Sequence, residues 1–346
     1  MEKRTEISAY GQFGLVDRLT RGFASGSPTT AAGIGDDAAA ISCGRNNILV
    51  TTDLLLEGIH FDLTYFPMKH LGYKAAVVAV SDILAMNGLP HQLTVALGIS
   101  SKLSVEMLED FYEGLRAGCT EYGMDLVGGD TSPSLTGFSI CVTALGRAPK
   151  KSTVYRSGAR PHDLVCLTGD LGAAYMGLKL LEREKHALEG HPDPQPRFGG
   201  YEYPLSRQLR PTARIDVVRE LADAEIVPTS MIDLSDGLAS DLLQICKSSR
   251  VGARIYLDRL PIAAQTNALA AEMNTDPVTA ALNGGEDYEL LFTVPLADRE
   301  KIRSAGGIEV IGHITDPARG AALVTPDGSE IALSAPGFAG KTEKGD

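Results

Sequence analysis

The chain has 346 residues, 44% hydrophobic and 22% charged, with no Trp and a net charge of −12 at pH 7. That charge disfavours non-specific binding to nucleic acid or to an anionic membrane surface. Residues 1–15 hold no long apolar core of a signal peptide, and the small apolar run at 75–80 is too short to span a bilayer. Cys43, Cys119, Cys141, Cys166 and Cys246 are widely spaced with no CxxC pair, so neither a zinc ribbon nor a disulfide framework is expected, and a reduced cytoplasm is the expected setting. At this length two domains are the default.

In chain order, residues 22–35 are rich in Gly, Ser, Thr and Ala and read as a mobile segment. A buried strand is expected over 48–52, ending on Asp53. A helix follows over 74–86 with Asn87-Gly88 as its stop, and its first residue, Lys74, reads as a solvated side chain. Alternating Leu93, Val95, Leu97 and Ile99 predict a half-buried strand. A helix from about Ser104 to Gly123 shows Leu108, Phe111, Tyr112, Leu115 and Cys119 on one face. Strands are expected at 124–127, running into Gly128-Gly129-Asp130, and at 138–145. The second half opens with a strand at 164–168, a turn at 169–172 and a helix to about Lys185. Residues 190–204, with four prolines and three glycines, read as an exposed loop. Helices at 213–222 and 237–247 and strands at 230–233, 254–257, 290–294 and 309–314 complete the pattern. The order of elements gives an α/β (α+β) fold in two domains, 1–149 and 150–346.

The most informative feature is a recurrence of acidic residues in short Gly- and Thr/Ser-rich clusters. These are Gly35-Asp36-Asp37, Thr51-Thr52-Asp53, Ser81-Asp82, Gly128-Gly129-Asp130-Thr131 and Asp233-Leu234-Ser235-Asp236-Gly237, with Gly285-Glu286-Asp287 as a further acidic turn. No lysine-based phosphate loop accompanies them. Carboxylates repel phosphates, but Asp and Ser/Thr oxygens are the ligands that Mg²⁺ takes, so such a set suits a nucleotide held through bridging cations. Taken singly, each cluster reads as a helix N-cap or a Gly-Asp turn. Their recurrence at expected element ends favours a shared anionic-ligand site. Asp233 and Asp236 are three apart and face one ion if that segment is one helical turn. An EF-hand over 233–244 is excluded, because its loop glycine is misplaced and its last position is Gln244. Arg156 is either a phosphate contact from the second half or a solvated surface arginine. His60 is either a pocket-lining group or a structural histidine.

Together these motifs resemble the thiamine-monophosphate kinase family of the aminoimidazole ribonucleotide synthetase-like superfamily. The resemblance runs through residues 33–38, 51–61, 80–88, 128–131, 156–158, 232–238 and 284–290, in unbroken order from about 10 to 340. It implies a two-domain fold whose N-terminal domains pair in a homodimer. It also implies transfer of the γ-phosphoryl group of ATP to thiamine monophosphate with several Mg²⁺ ions. By resemblance, Asp37, Thr51, Thr52, Asp53, Asp82, Asp130, Asp233 and Asp236 match metal ligands. Gly129, Asp130, Arg156 and Ser235 match ATP contacts, with Tyr112 against the nucleotide, and His60, Glu286 and Phe338 match the thiamine side.

No general base is expected, since a phosphate monoester has a second pKa near 6 and its oxygen is already ionised at neutral pH. Selenophosphate synthetases call for a Cys or selenocysteine with a Lys in the N-terminal glycine-rich segment, and residues 11–35 hold neither Cys nor Lys. The carbamoyl-dehydrating hydrogenase-maturation relative calls for a C-terminal Cys, where this sequence reads Lys-Gly-Asp. The Gly/Ser/Thr composition of 22–35 is that of a lid over ATP.

Overall fold

The structure, a computed structural model, describes residues 11–22, 27–188 and 198–335. Helix α1 (Gly11–Thr20) precedes a six-stranded sheet made of β1 (Thr30–Ala32), β2 (Ala39–Cys43), β3 (Asn46–Leu56), β4 (Leu89–Ser100), β5 (Asp125–Ser134) and β6 (Ser139–Pro149). The strand order is β1-β2-β3-β6-β4-β5. Neighbours are antiparallel except β4 and β5, whose parallel pairing requires a crossover. Helix α3 (Val105–Tyr122) supplies it, and α2 (Met68–Ala85) joins β3 to β4.

Local chemistry explains these two helices. Ser104 caps α3 by accepting a hydrogen bond from the Met107 N–H at 3.3 Å, and Gly123 closes it in the left-handed conformation at φ 68°. Helix α2 is apolar almost all round and correspondingly buried. It packs backbone to backbone on α3: a Cβ on Gly114 would lie 1.7 Å from the Lys69 carbonyl oxygen, and one on Gly72 1.8 Å from that of Phe111. Both glycines are therefore required by the approach of the helices.

The sheet has two unlike faces. Leu49 and Leu55 of β3, Val142 and Ala144 of β6, and Leu93 and Val95 of β4 are buried on the face under α2. On the other face Leu54 is 55% exposed, and β5 is exposed along nearly its whole length at the sheet edge.

The second half forms a seven-stranded sheet from β7 (Leu164–Thr168), β8 (Ser230–Asp233), β9 (Gly252–Tyr256), β10 (Leu290–Val294), β11 (Ile308–Thr315), β12 (Ala321–Val324) and β13 (Glu330–Ala332), in the order β13-β12-β9-β11-β7-β10-β8. Only β9 and β12 pair in parallel. Around it lie α4 (Ala173–Leu188), α5 (Glu202–Leu209), α6 (Ile215–Asp223), α7 (Leu238–Ser249), α8 (Ala264–Glu272), α9 (Pro277–Asn283) and α10 (Arg299–Ser304). One apolar core runs from α2 and the first sheet into Val217, Leu221, Met231 and Phe292 of the second half. The two halves thus meet along packed side chains, which holds the groups between them in place. Among the described residues no helix is long and apolar enough to cross a membrane.

Several expectations are corrected. Strand β3 does not end on Asp53 but continues to Leu56, because its full length pairs with β6. Helix α2 starts at Met68, so Lys74 lies inside it rather than opening it. The strand expected at 124–127 extends to Ser134 and carries Gly128-Gly129-Asp130 within it, paired to β4. Helix α5 begins inside the expected loop 190–204, of which 189–197 lie outside the described residues, because it docks on α4 where Gly177 faces the Pro204 carbonyl. Helix α9 is not among the expected elements; its local signal is the cap, where Asp276 accepts from the Val278 and Thr279 N–H groups and Pro277 follows it.

Candidate active site

Four carboxylates and one guanidinium converge between the halves. Asp37 follows the turn at Gly35, whose φ of +123° suits glycine. Its Oδ1 accepts from Arg156 Nη2 at 2.5 Å and Nε at 3.1 Å, while Asp36 Oδ1 accepts from the Arg156 N–H at 2.7 Å. Asp82, near the end of α2, accepts from Thr51 Oγ1 of β3. Asp233, the last residue of β8, accepts from Ser81 Oγ at 2.6 Å. One carboxylate oxygen each from Asp37, Asp82 and Asp233 lies within 4.8 Å of the others. Asp53 stands two residues from Thr51 on the same face of β3. Its Oδ2, like that of Asp37, is buried without a hydrogen-bond partner.

The electrostatics follow from this crowding. Burial holds the Asp82 carboxyl well above the usual range, reinforced by the charges of Asp53, Asp233 and Asp37. Burial raises Asp53 to about 6. It raises Asp233 to about 7, with Asp37 adding to the effect and the Ser81 hydrogen bond and Arg156 opposing it. Asp37 is also raised by burial despite Arg156. Carboxylates so placed ionise less readily than free ones, and a nearby cation would favour their charged form. The donor set, all hard oxygens with two buried lone oxygens to spare, fits a divalent cation such as Mg²⁺.

The segment from Asp233 to Asp236 is not the single helical turn on which their facing one ion was conditioned. Asp233 ends a strand, and Ser235 and Asp236 lie in the β8–α7 turn. Asp241, unremarked in the sequence, holds that turn by accepting from the Asp236 and Gly237 N–H groups at 3.2 and 3.1 Å. Burial raises the Asp236 carboxyl, opposed by Arg156. The Ser235 carbonyl accepts from the Glu286 N–H at 2.9 Å.

Gly129, Asp130 and Tyr112 are brought together, but elsewhere. They line a cavity of about 490 Å³ with Val95 and Gly128. Sheet register sets Leu54, Cys141, Ala96 and Asp130 in one row and Asp53, Val142, Val95 and Gly129 in the next. Asp130 therefore lies on the open face, opposite Asp53 and roughly 14 Å away across three strand spacings. Thr52 faces the same open side, with its Oγ1 2.9 Å from Thr143 Oγ1.

On the remaining flank, Leu56 N–H donates to His60 Nδ1 at 3.0 Å, and burial lowers the pKa of that imidazole. Glu286 Oε2 accepts from Lys74 Nζ and from Gln208 Nε2, both at 3.0 Å. Lys74 is only 1% exposed, which overturns its reading as a solvated side chain: the polar tip has a half-buried carboxylate partner on the other half of the chain. Phe338 lies outside the described residues, as do 23–26 of the expected lid. Gly33, Ile34 and Gly35 line a cavity of about 1080 Å³ with Thr51, Thr52 and Arg156.

Comparison with known proteins identifies the family. Residues 35–148 match the AIR synthase related protein N-terminal domain, and residues 160–325 the corresponding C-terminal domain. The thiamine-monophosphate kinase of Aquifex aeolicus is 36% identical over 321 residues, covering 90% of this chain and 97% of the relative. That of Escherichia coli K12 is 34% identical over 340 residues, covering 95% and 98%. The solved structure of AaThiL complexed with AMPPCP and TMP superposes with a TM-score of 0.80 at 32% identity, covering 95% of this chain and 97% of that one. Hydrogenase maturation protein HypE in complex with ATP, at 19% identity and a TM-score of 0.68, shares the fold. With both domains matched in order and a third of the residues shared with full-length relatives, the chain belongs to the thiamine-monophosphate kinase family.

Proposed function

We propose that the basin of Asp37, Asp53, Asp82 and Asp233 is where the phosphates of ATP and thiamine monophosphate meet. The activity is that of the family: ATP-dependent phosphorylation of thiamine monophosphate to thiamine diphosphate. The single observation carrying the site is the cluster of three carboxylate oxygens within 4.8 Å, contributed by both halves of the chain. These carboxylates, with Thr51 and Asp236 alongside, would hold Mg²⁺, which would supply charge neutralisation for the phosphates. Thr52 and Asp130 complete the proposed metal set from the open face.

The chain's own residues position the reactants. An ionised oxygen of the acceptor phosphate bonds to the γ-phosphorus, the bond from that phosphorus to the β–γ bridging oxygen breaks, and ADP departs with the electron pair. No proton has to be removed at neutral pH, so no residue serves as general base. Arg156, anchored through Asp36 and Asp37, presents a fixed positive charge to the phosphates, and Ser235 lies beside them. His60 and Glu286 face the thiamine moiety, and Phe338 is assigned to the same side by the resemblance alone; a carboxylate and an aromatic ring suit a cationic thiazolium.

Gly129, Asp130 and Tyr112 then act on the nucleotide from a second copy in a homodimer. The open sheet face with its exposed Leu54 and the unpaired edge of β5 support this reading. The boundary near 149, a lid over 22–35 and a cytoplasmic setting belong to the same proposal. All five cysteines are free, which suits a reducing compartment.

The test is product analysis with Mg²⁺-ATP and either thiamine monophosphate or thiamine. Thiamine diphosphate from the monophosphate alone is the expected result. ATP binding with no diphosphate formed would send the assignment to another substrate of the superfamily.

A further inference from the structure

Helix α2 is apolar along most of its length, yet two buried polar residues seven apart, Lys74 and Ser81, reach across to the second half of the chain. Seven residues are nearly two helical turns, so both lie on one stripe of α2, roughly 10 Å apart along the axis. Ser81 holds Asp233 of the phosphate basin, and Lys74 holds Glu286. The same helix therefore sets the spacing between the two carboxylates.

Lys74 is unusually enclosed. Its ammonium donates to Glu286 Oε2 at 3.0 Å and to the Gln208 carbonyl at 3.2 Å, and it sits 5.4 Å from the centre of the Phe66 ring. A buried ammonium is costly unless paired and hydrogen-bonded, and these contacts meet that need. Glu286 is in a strained stretch: it has φ 58° and Tyr288 has φ 52°, a left-handed backbone that side chains rarely adopt. The segment is tied down by Glu286 N–H to the Ser235 carbonyl and by Tyr288 N–H to that of Leu234, both at 2.9 Å. Only Oε2 of Glu286 is engaged by Lys74 and Gln208; Oε1 has no partner among the described residues, and the side chain is 25% exposed.

We propose that Lys74 is a positioning residue for thiamine monophosphate, clamping Glu286 through Oε2 so that Oε1 stays fixed and available to the cationic ring of the substrate. The inference rests on the kinase reading above and adds to it a group that does not itself touch substrate. Pairing with Lys74 also sets Glu286 apart from the neighbouring carboxylates that converge without a lysine: its charge is already matched on one side, so it is not a competing site for a bare divalent cation.

The test is steady-state kinetics of the full chain carrying Lys74→Met, Glu286→Gln or both. Lys74→Met is expected to raise KM for thiamine monophosphate about tenfold while KM for ATP and kcat stay within about threefold. Because Lys74 acts through Glu286, the double variant is expected to be no worse than Glu286→Gln alone. Equal rises in both KM values, or effects that multiply in the double variant, overturn the proposal. Should Lys74→Met fail to fold, Gln208→Met removes the other donor to the same oxygen. It is expected to raise KM for thiamine monophosphate about threefold, and no change in that KM overturns the proposal as well. Wild-type protein that forms no thiamine diphosphate overturns the underlying kinase reading instead, which separates the two failures.

Discussion

Two regions of this molecule are written in the same residues and come to opposite ends. Gly35-Asp36-Asp37 and Thr51-Thr52-Asp53 lead into a basin closed by Asp82, Asp233 and Arg156, where carboxylates are buried against one another. Gly128-Gly129-Asp130-Thr131 lies on β5, at an exposed sheet edge, with Tyr112 beside it and no second carboxylate in its cavity. Inside the basin burial and mutual repulsion raise the carboxyl pKa values. On β5 the same groups are solvated. The contrast places the crowding of carboxylates in the convergence of strands β3 and β8 with helix α2, and not in the Gly-Asp motif by itself.

The largest effect is expected from breaking the basin. Asp53→Asn or Asp233→Asn should lower kcat by about a thousandfold or more, as removal of a group that stabilises transferring charge does. Melting temperature of the metal-free protein should stay level or rise, since one of several crowded charges is gone. A fall of many degrees in both variants would make these residues structural props and remove the contrast.

Mixing experiments sharpen it from the other side. If Asp130 serves the site of a second copy, Asp130→Ala and Asp53→Asn proteins, each inactive, should regain activity when mixed. Each mixed dimer then has one intact site, giving about a quarter of wild-type activity at equal mixing. Continued inactivity, with exchange of subunits verified by mass, would place Asp130 with its own chain.

A third effect is thermal. In the metal-free protein Asp53 and Asp233 are raised to about 6 and about 7 from an ordinary value of 3.8. Between those limits the folded state binds more protons than the unfolded one. Their contribution to stability is whole below about pH 4 and is lost as pH rises toward 7. Mg²⁺ should therefore raise the melting temperature more at pH 8 than at pH 5.5, by several degrees at saturation. Melts with EDTA and with Mg²⁺ at the two pH values check this; a shift independent of pH counts against the basin as the binding site.

The smallest effect is a control lying in neither region. Ser104→Ala removes the α3 cap and should cost about 1 kcal/mol in denaturant unfolding. Kinetics should be unchanged, and altered KM values would show that α3 is coupled to the site.

Much of the architecture was legible because periodicity and capping are local. Helix α3, with Ser104 and Gly123 at its ends, and strand β8 over 230–233 stand where the sequence puts them. The extents of β3 and β5 were not, since pairing with β6 and β4 carries each strand through residues that read as turns. Ser81 was visible only as the neighbour of Asp82, and its hydrogen bond to Asp233 spans 152 positions. Lys74 gave a misleading signal, because a lysine on an apolar helix ordinarily reaches water. Its partner is 212 positions away.

The sequence by itself determined which oxygen donors this chain carries, the order of many of its helices and strands, and the family whose reaction it performs, because residue type, local periodicity and ordered motifs survive without coordinates. Tertiary structure alone decided which of those donors meet. Asp37, Asp82 and Asp233 come from three elements far apart in the chain, and Asp130 is turned to the opposite face by strand register. Charge density and burial are properties of that convergence, since they depend on distances through space that no spacing along the chain prescribes.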